Sequence, residues 1–226
     1  MKLRAVVFDF DGVIANSEPL HFRALRDVLA STGVSLSERD YYARYLGFDD
    51  AGALHAIGAD SGAFGPEQVA SLVSRKAVRF EELEADAGML FPGAAAAIRR
   101  VAASVPIGIA SGARRDEILR VLEAAGLADL FAAIVAAEDV SRSKPDPAPY
   151  LLAVRLLGTA VAGDSLRPAD CVAIEDSRWG LESARQAGLR TIAVTHTYTL
   201  AELGAADLVL DSLEALDVAS LSRQLA

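Results

Sequence analysis

Six short apolar runs recur along the chain, at 5–10, 106–111, 132–137, 171–175, 191–195 and 208–210, each closing on polar residues or glycine. Alanine- and leucine-rich stretches with helical spacing, such as 115–125 and 148–157, lie between most of them. Strands that alternate with helices pair in parallel, because each crossover needs a helix to carry the chain back. The pattern therefore predicts an α/β fold, a Rossmann-like, doubly wound parallel sheet with helices on both faces. With 226 residues, 52% of them hydrophobic, there is enough material for a large core. Gly126 and Gly158 stand where helix-ending glycines are expected.

One interval breaks the alternation. From 17 to 88 only helical patterning is present, over 19–30, 40–46, 51–57 and 67–83. In the first of these, Leu20, Ala24, Leu25, Val28 and Leu29 fall on one helical face. Gly47, Gly58 and the stretch 61–66 divide the rest. Four helices inserted after the first strand predict an all-helical cap, a four-helix bundle over the sheet edge. The expected division is a core domain of 1–16 and 89–226 and a cap of 17–88, with hinges near 15–17 and 88–92.

Net charge is −9, and there is no basic run to neutralise phosphates, which argues against a nucleic-acid partner. No apolar run is long enough to span a bilayer. The N-terminus enters a strand without the longer apolar stretch of a signal peptide. A soluble, cytoplasmic protein with no membrane partner is expected. The single cysteine, Cys171, allows no internal disulfide and, before Val172-Ala173-Ile174, reads as a small buried hydrophobe. No heptad pattern or long exposed apolar strand stands out, so the expectation is a monomer or weak homo-oligomer.

Chemistry concentrates at the strand ends. In Val6-Val7-Phe8-Asp9-Phe10-Asp11-Gly12-Val13-Ile14, two acids stand two residues apart. In extended chain they would share a face, at most about 7 Å apart, before Gly12 lets the backbone turn. In Ser111-Gly112-Ala113-Arg114-Arg115, a hydroxyl and backbone N–H groups at a helix start suit an anion, although a serine there also serves as a plain cap. Ser143-Lys144-Pro145-Asp146-Pro147 holds a lysine in a loop stiffened by two prolines; a lone turn lysine is ordinarily solvated. Glu175-Asp176-Ser177 is a second acid pair after a strand, equally readable as a strand end and helix cap.

Together the four segments say more than any one of them. Asp9, Asp11, Glu175 and Asp176 on one sheet edge would raise each other's pKa unless a cation compensates them. The natural compensator is a hard, oxygen-seeking divalent ion, most simply Mg²⁺, and no His or Cys cluster points to zinc. The adjacent lysine and hydroxyl suit a substrate phosphate. Charge neutralisation, an in-line nucleophile and proton transfer to a leaving oxygen are what phosphoryl transfer needs.

These four motifs, in this order and almost end to end, closely resemble the haloacid dehalogenase superfamily of phosphotransferases. The insert is placed like the cap of its β-phosphoglucomutase and phosphoglycolate phosphatase branch, and Asn16-Ser17-Glu18-Pro19-Leu20-His21 looks like that branch's hinge. The resemblance implies that Asp9 attacks phosphorus and becomes a transient aspartyl phosphate. It implies that Asp11 protonates the leaving oxygen and later deprotonates water. Mg²⁺ would be held by Asp9, the backbone carbonyl of Asp11 and Asp176, with Glu175 in support. Ser111 and Lys144 would bind the phosphoryl oxygens, while Gly112, Arg114 and His21 are candidate substrate contacts. The second aspartate and the pair at 175–176 fit the phosphatases better than the metal-free dehalogenases.

The implied substrate is a small phosphorylated metabolite, a sugar phosphate or similar, and hydrolysis is the leading expectation. A sugar phosphate mutase is the alternative, and a non-catalytic metabolite-binding module a third. Related mutases carry an arginine just after the glycine matching Gly47, where this chain reads Phe48-Asp49-Asp50-Ala51. An acid there would repel a second phosphate by roughly 1–4 kcal/mol at about 4 Å. Their serine two residues past the Ser111 position is Ala113 here, although Arg114 or Arg115 offers a substitute anion site. His55 and His196 have no evident partner, and Trp179 is expected to pack on the following helix.

Overall fold

In the computed structural model, which describes residues 3–46, 48–84, 89–160, 166–218 and 220–221, each of the six apolar runs forms a strand. They are β1 (Ala5–Phe8), β2 (Ile107–Ala110), β3 (Phe131–Val135), β4 (Cys171–Glu175), β5 (Arg190–Val194) and β6 (Leu208–Leu210). The helices in chain order are α1 (Glu18–Leu29), α2 (Glu38–Asp40), α3 (Asp50–Ser61), α4 (Pro66–Glu84), α5 (Ala94–Ala102), α6 (Arg115–Ala124), α7 (Ala148–Ala160) and α8 (Arg178–Gln186). The chain divides into two compact units, one of 1–16 and 90–226, the other of 17–89.

The first unit is built on a parallel sheet of order β3-β2-β1-β4-β5-β6. The chain steps outward from β1 through β2 to β3, then crosses back to β4 and steps outward the other way. That reversal leaves a crevice at the carboxyl ends of β1 and β4, the place where open α/β sheets bind ligands. β1 is buried along its whole length, and Phe8 pairs with Ile109 on one side and Ile174 on the other. Both neighbours therefore end level with Asp9.

Small residues let the helices approach this sheet. Ala5, Val7, Ala110, Ala133, Cys171 and Ala173 form one buried cluster with Tyr150, Ala153, Val154 and Leu157 of α7 and Ala184 of α8. Each large apolar side chain so buried contributes about 1.5–3 kcal/mol. Cys171 belongs to this cluster, and burial pushes its thiol up to about 12, so it behaves as the small hydrophobe expected. The chain leaves this unit and re-enters it side by side, the Phe91 N–H bonding to the Ile14 carbonyl at 3.0 Å beside an Ala15–Leu90 bridge.

The second unit is helical and has its own core. Phe22, Leu25, Val28 and Leu29 of α1 pack with Leu54 and Ile57 of α3 and Val69 and Leu72 of α4. The expected helix over 40–46 takes another form. Only Glu38–Asp40 is α-helical, and Tyr41–Tyr45 makes a wide π-type turn closed by the Leu46 N–H on the Tyr41 carbonyl at 3.1 Å. The wider turn buries both Tyr41 and Tyr45 and lets their hydroxyls donate to Glu18 and Asp60.

Two further expectations are corrected. Gly158 lies inside α7, which runs on to Ala160, so it does not end the helix. β1 stops at Phe8, two residues short of the expected run, because Phe10 turns the chain. Gly47 and the hinge residue Gly88 fall outside the described residues. Among the described residues no helix is long and apolar enough to cross a membrane.

Because each unit has its own apolar core, damage to one core is expected to show in one unit. Leu54→Ala should cost about 2–5 kcal/mol within the helical unit. The far-UV circular dichroism transition in urea should then gain an early phase. The fluorescence of Trp179, the single tryptophan and a residue of α8, should keep its wild-type midpoint. One coincident, lowered midpoint for both probes would show that the units unfold together.

Candidate active site

Asp9 stands one residue beyond β1, held by a turn instead of by strand alternation. The Phe10 carbonyl accepts the N–H groups of Val13, Ile14 and Ala15 at 3.4, 2.8 and 2.9 Å, while the Phe10 N–H donates to Asp9 Oδ1 at 2.7 Å. Gly12 takes φ +75° in this turn, a conformation that disfavours any side chain. Space forbids one as well: a Cβ on Gly12 would lie 1.9 Å from Asp176 Oδ2 and 2.9 Å from Thr197 Oγ1. The bare glycine thus lets the end of β4 and the loop after β5 close on the Asp9 turn.

Lys144 reaches into the same place from the loop preceding α7. Its ammonium lies 2.8 Å from Asp9 Oδ1 and 2.6 Å from Glu175 Oε1, and it is largely buried. Glu175 has no exposed surface and is saturated with donors. Oε1 accepts from Lys144 and from the Tyr150 hydroxyl at 2.7 Å. Oε2 accepts from the Asp176 and Ser177 N–H groups and the Ser177 hydroxyl at 3.2, 3.4 and 3.2 Å. The carboxylate also sits at the start of α8, where the helix dipole favours negative charge. A Cβ on Gly180 would come within 1.9 Å of it, which is why the first turn of α8 needs a glycine.

Asp9, Glu175 and Asp176 converge, each offering a carboxylate oxygen within 4.8 Å of the others, and all are buried. Burial, then the charge of Glu175, pushes the Asp9 carboxyl up to about 7 against the pull of Lys144, with Asp11 adding to the rise. Asp176 is likewise raised, by burial first and then by Glu175 and Asp9. Burial alone would lower Lys144, but the two carboxylates on it outweigh this and hold it charged. One ammonium cannot balance three buried carboxylates. A cation would complement the excess, and a donor set made of oxygens alone fits a hard divalent ion. Since Glu175 is occupied by protein donors, Asp9 and Asp176 are the carboxylates best placed to hold it.

The other expected residues are distributed as follows. Ser111 follows the last residue of β2 in a buried position, its Oγ accepting from the Ala113 N–H at 3.0 Å. It does not cap α6, whose capping residue is Arg114. A Cβ on Gly112 would meet open space. Arg114 is exposed and paired with Asp116 at 3.1 Å, and Arg115 is paired with Asp139 at 2.5 Å. Asp11 is half-buried in the turn and lies outside the trio of converging carboxylates. His21 belongs to the helical unit, where its Nδ1 lies 2.6 Å from Lys76 Nζ and its ring stacks on Phe80. Burial, then the Lys76 charge, lowers its pKa well below the usual imidazole range, so it stays neutral.

Three participants carried no legible signal. Tyr150 reads in sequence as a core aromatic, yet its hydroxyl bonds Glu175. Thr197 bonds the Asp176 carboxylate from an uncharged loop. His196 donates from Nδ1 to the Gly12 carbonyl at 2.9 Å and stacks on Phe91 at 3.9 Å between ring centres. Trp179 packs edge-on against Tyr198, with 6.2 Å between ring centres.

Known proteins resemble this chain in sequence and in fold. A family model described as haloacid dehalogenase-like hydrolase matches residues 3–188. Protein CbbY of Rhodobacter capsulatus is 35% identical over 208 residues, covering 88% of either chain. Hexitol phosphatase B of Escherichia coli K12 is 32% identical over 194 residues, 85% of this chain and 84% of the relative. The crystal structure of CbbY from Rhodobacter sphaeroides in complex with phosphate superposes with a TM-score of 0.78 at 29% identity, covering 95% of this chain and 96% of that one. The chain belongs to the haloacid dehalogenase-like hydrolases.

Proposed function

We propose that this hydrolase is a Mg²⁺-dependent phosphatase of a small phosphorylated metabolite, a sugar or polyol phosphate, acting through an aspartyl phosphate on Asp9. The observation that carries the reading is the excess of buried carboxylate at the β1–β4 edge, with one lysine set between Asp9 and Glu175. A purely structural cluster would be an expense in stability with nothing to offset it. That argues against a non-catalytic module. A hexitol phosphatase and a phosphate-bound CbbY among the similar proteins support the substrate class.

Bound Mg²⁺, held by Asp9, Asp176 and the Asp11 carbonyl, would neutralise the phosphoryl group and lower the Asp9 pKa. An Asp9 carboxylate oxygen attacks phosphorus as the ester P–O bond breaks, and Asp11 gives its proton to the departing oxygen. Lys144 and the Ser111 hydroxyl hold the phosphoryl oxygens and oppose the charge that builds on them. Asp11, now a carboxylate, takes a proton from water as that water attacks phosphorus. The P–O bond to Asp9 then breaks and inorganic phosphate leaves.

Transfer between two positions of a bisphosphate would need a second anion site. Asp49 caps α3 through the Gly52 N–H at 2.7 Å, and Asp50 pairs with Lys76 at 2.7 Å. Arg114 and Arg115, the substitutes considered, are each paired with a neighbouring aspartate. Hydrolysis is favoured on these grounds. The acidic composition favours a small-molecule partner over a polymer, and the single buried cysteine suits a reducing compartment. We place the enzyme in the cytoplasm as a monomer or weak homo-oligomer.

Hydrolysis of p-nitrophenyl phosphate should require Mg²⁺ and fall at least about 10³-fold in Asp9→Asn, an effect sized on the loss of a nucleophile; undiminished turnover there rejects the mechanism. Gly12→Ala forces a methyl onto Asp176, and calorimetry should find Mg²⁺ binding weakened about tenfold or more, as for the loss of metal-site support. Binding of Mg²⁺ must also displace the proton that Asp9 carries below about 7. Affinity should then fall as pH drops below about 7, by about tenfold per unit for the Asp9 proton and more steeply where Asp176, whose carboxyl is also raised, is protonated too. A flat profile from pH 5 to 8 would show that Asp9 is not the titrating ligand.

A further inference from the structure

Tyr150 lies seven-tenths of the way along the chain, six residues after Lys144, in the first turn of α7. It has no exposed surface, and its ring is set in the apolar cluster with Val7, Ala110 and Leu157. A tyrosine so placed needs a partner for its hydroxyl, and the partner is Glu175 Oε1 at 2.7 Å. The same oxygen accepts from Lys144 Nζ at 2.6 Å, and that ammonium lies 5.2 Å from the centre of the Tyr150 ring. Lys144 therefore has Glu175 on one side, Asp9 at 2.8 Å on another and the tyrosine ring beside it.

We propose that Tyr150 is a positioning residue for Lys144: its hydroxyl occupies one lone pair of Glu175 Oε1, so that the ammonium stays shared with Asp9 and is not drawn wholly onto Glu175. The two oxygens of Glu175 divide the work. Oε2 is committed to the Asp176 and Ser177 backbone and the Ser177 hydroxyl, which fixes the carboxylate plane. Oε1 has two donors, Tyr150 and Lys144. Without the tyrosine hydroxyl, a buried carboxylate oxygen lacks a donor, and Lys144 is the mobile group that can make up the deficit. The shift would take the ammonium away from Asp9. In the phosphatase reading, on which the functional consequence rests, it would also take it away from the phosphoryl oxygens. The Asp176 side of the site is tied to Oε2 and should not move.

The test is Tyr150→Phe in the full chain, which keeps the ring and removes one oxygen. The chain has three lysines, Lys2, Lys76 and Lys144, so ¹⁵N-lysine labelling gives a spectrum in which the buried Lys144 ammonium can be followed. In Tyr150→Phe its resonance should shift, inorganic phosphate should bind about three- to tenfold more weakly, and Mg²⁺ affinity by calorimetry should stay within about twofold. An unchanged Lys144 resonance overturns the proposal. So does a loss of Mg²⁺ affinity equal to the loss of phosphate affinity, because the hydroxyl would then act on the whole cluster. If the resonance shifts in the variant but phosphate leaves Lys144 unmoved in the wild type, the positioning role stands and the phosphate-binding reading falls.

Discussion

An ammonium buried between two carboxylates cannot be assembled locally, and most of this sheet's topology follows from assembling it. Asp9 comes from the centre of the sheet, Glu175 from the neighbouring strand and Lys144 from beyond the far edge strand β3. Bringing the two carboxylates together without the lysine leaves uncompensated charge away from water, at a cost of about 3–5 kcal/mol. The reversal of strand order between β1 and β4 is what allows all three to meet. The glycines at 12 and 180 have the same origin, since a methyl at either would collide with a site carboxylate.

Within the cluster, structure and chemistry are assigned to different acids. Glu175 is fully buried, bonded at both oxygens and placed at a helix N-terminus, so its charge is satisfied by the protein. Asp9 and Asp176 hold the unsatisfied charge, and burial raises the pKa of both. The cost of confining them is the measure of how strongly the site would take a cation.

The sheet was legible because a buried parallel strand needs an unbroken apolar run, and six such runs are present. The acids and Ser111 are legible because they stand at the ends of those runs, and Lys144 because two prolines stiffen the loop that holds it. Other features depend on neighbours distant in sequence. Asp9 and Asp11 were expected to share a strand face, but the Phe10 carbonyl gathers three N–H groups and replaces the strand with a turn. Gly158 stands where a helix stop is expected, but α7 runs on two residues past it to Ala160. Tyr150 has the sequence context of any core aromatic, and Thr197 and His196 lie in a loop with no charge or spacing to mark them. Their roles exist only because β5 lies beside β4.

The helical unit matches several of its charges within itself. Its buried cation, Lys76, is matched by Asp50 and shares His21, which stays neutral. Arg79 is matched by Asp27, and Arg44 by Asp60. These cations are thus spent on the unit's own acids, while Arg75 bonds the Ser31 hydroxyl at 3.0 Å and Asp49 is engaged at the head of α3. In the core unit the cations near the site are committed likewise, Lys144 to Asp9 and Glu175, Arg114 to Asp116 and Arg115 to Asp139, which is the ground on which the proposed function sets hydrolysis above transfer between two phosphates.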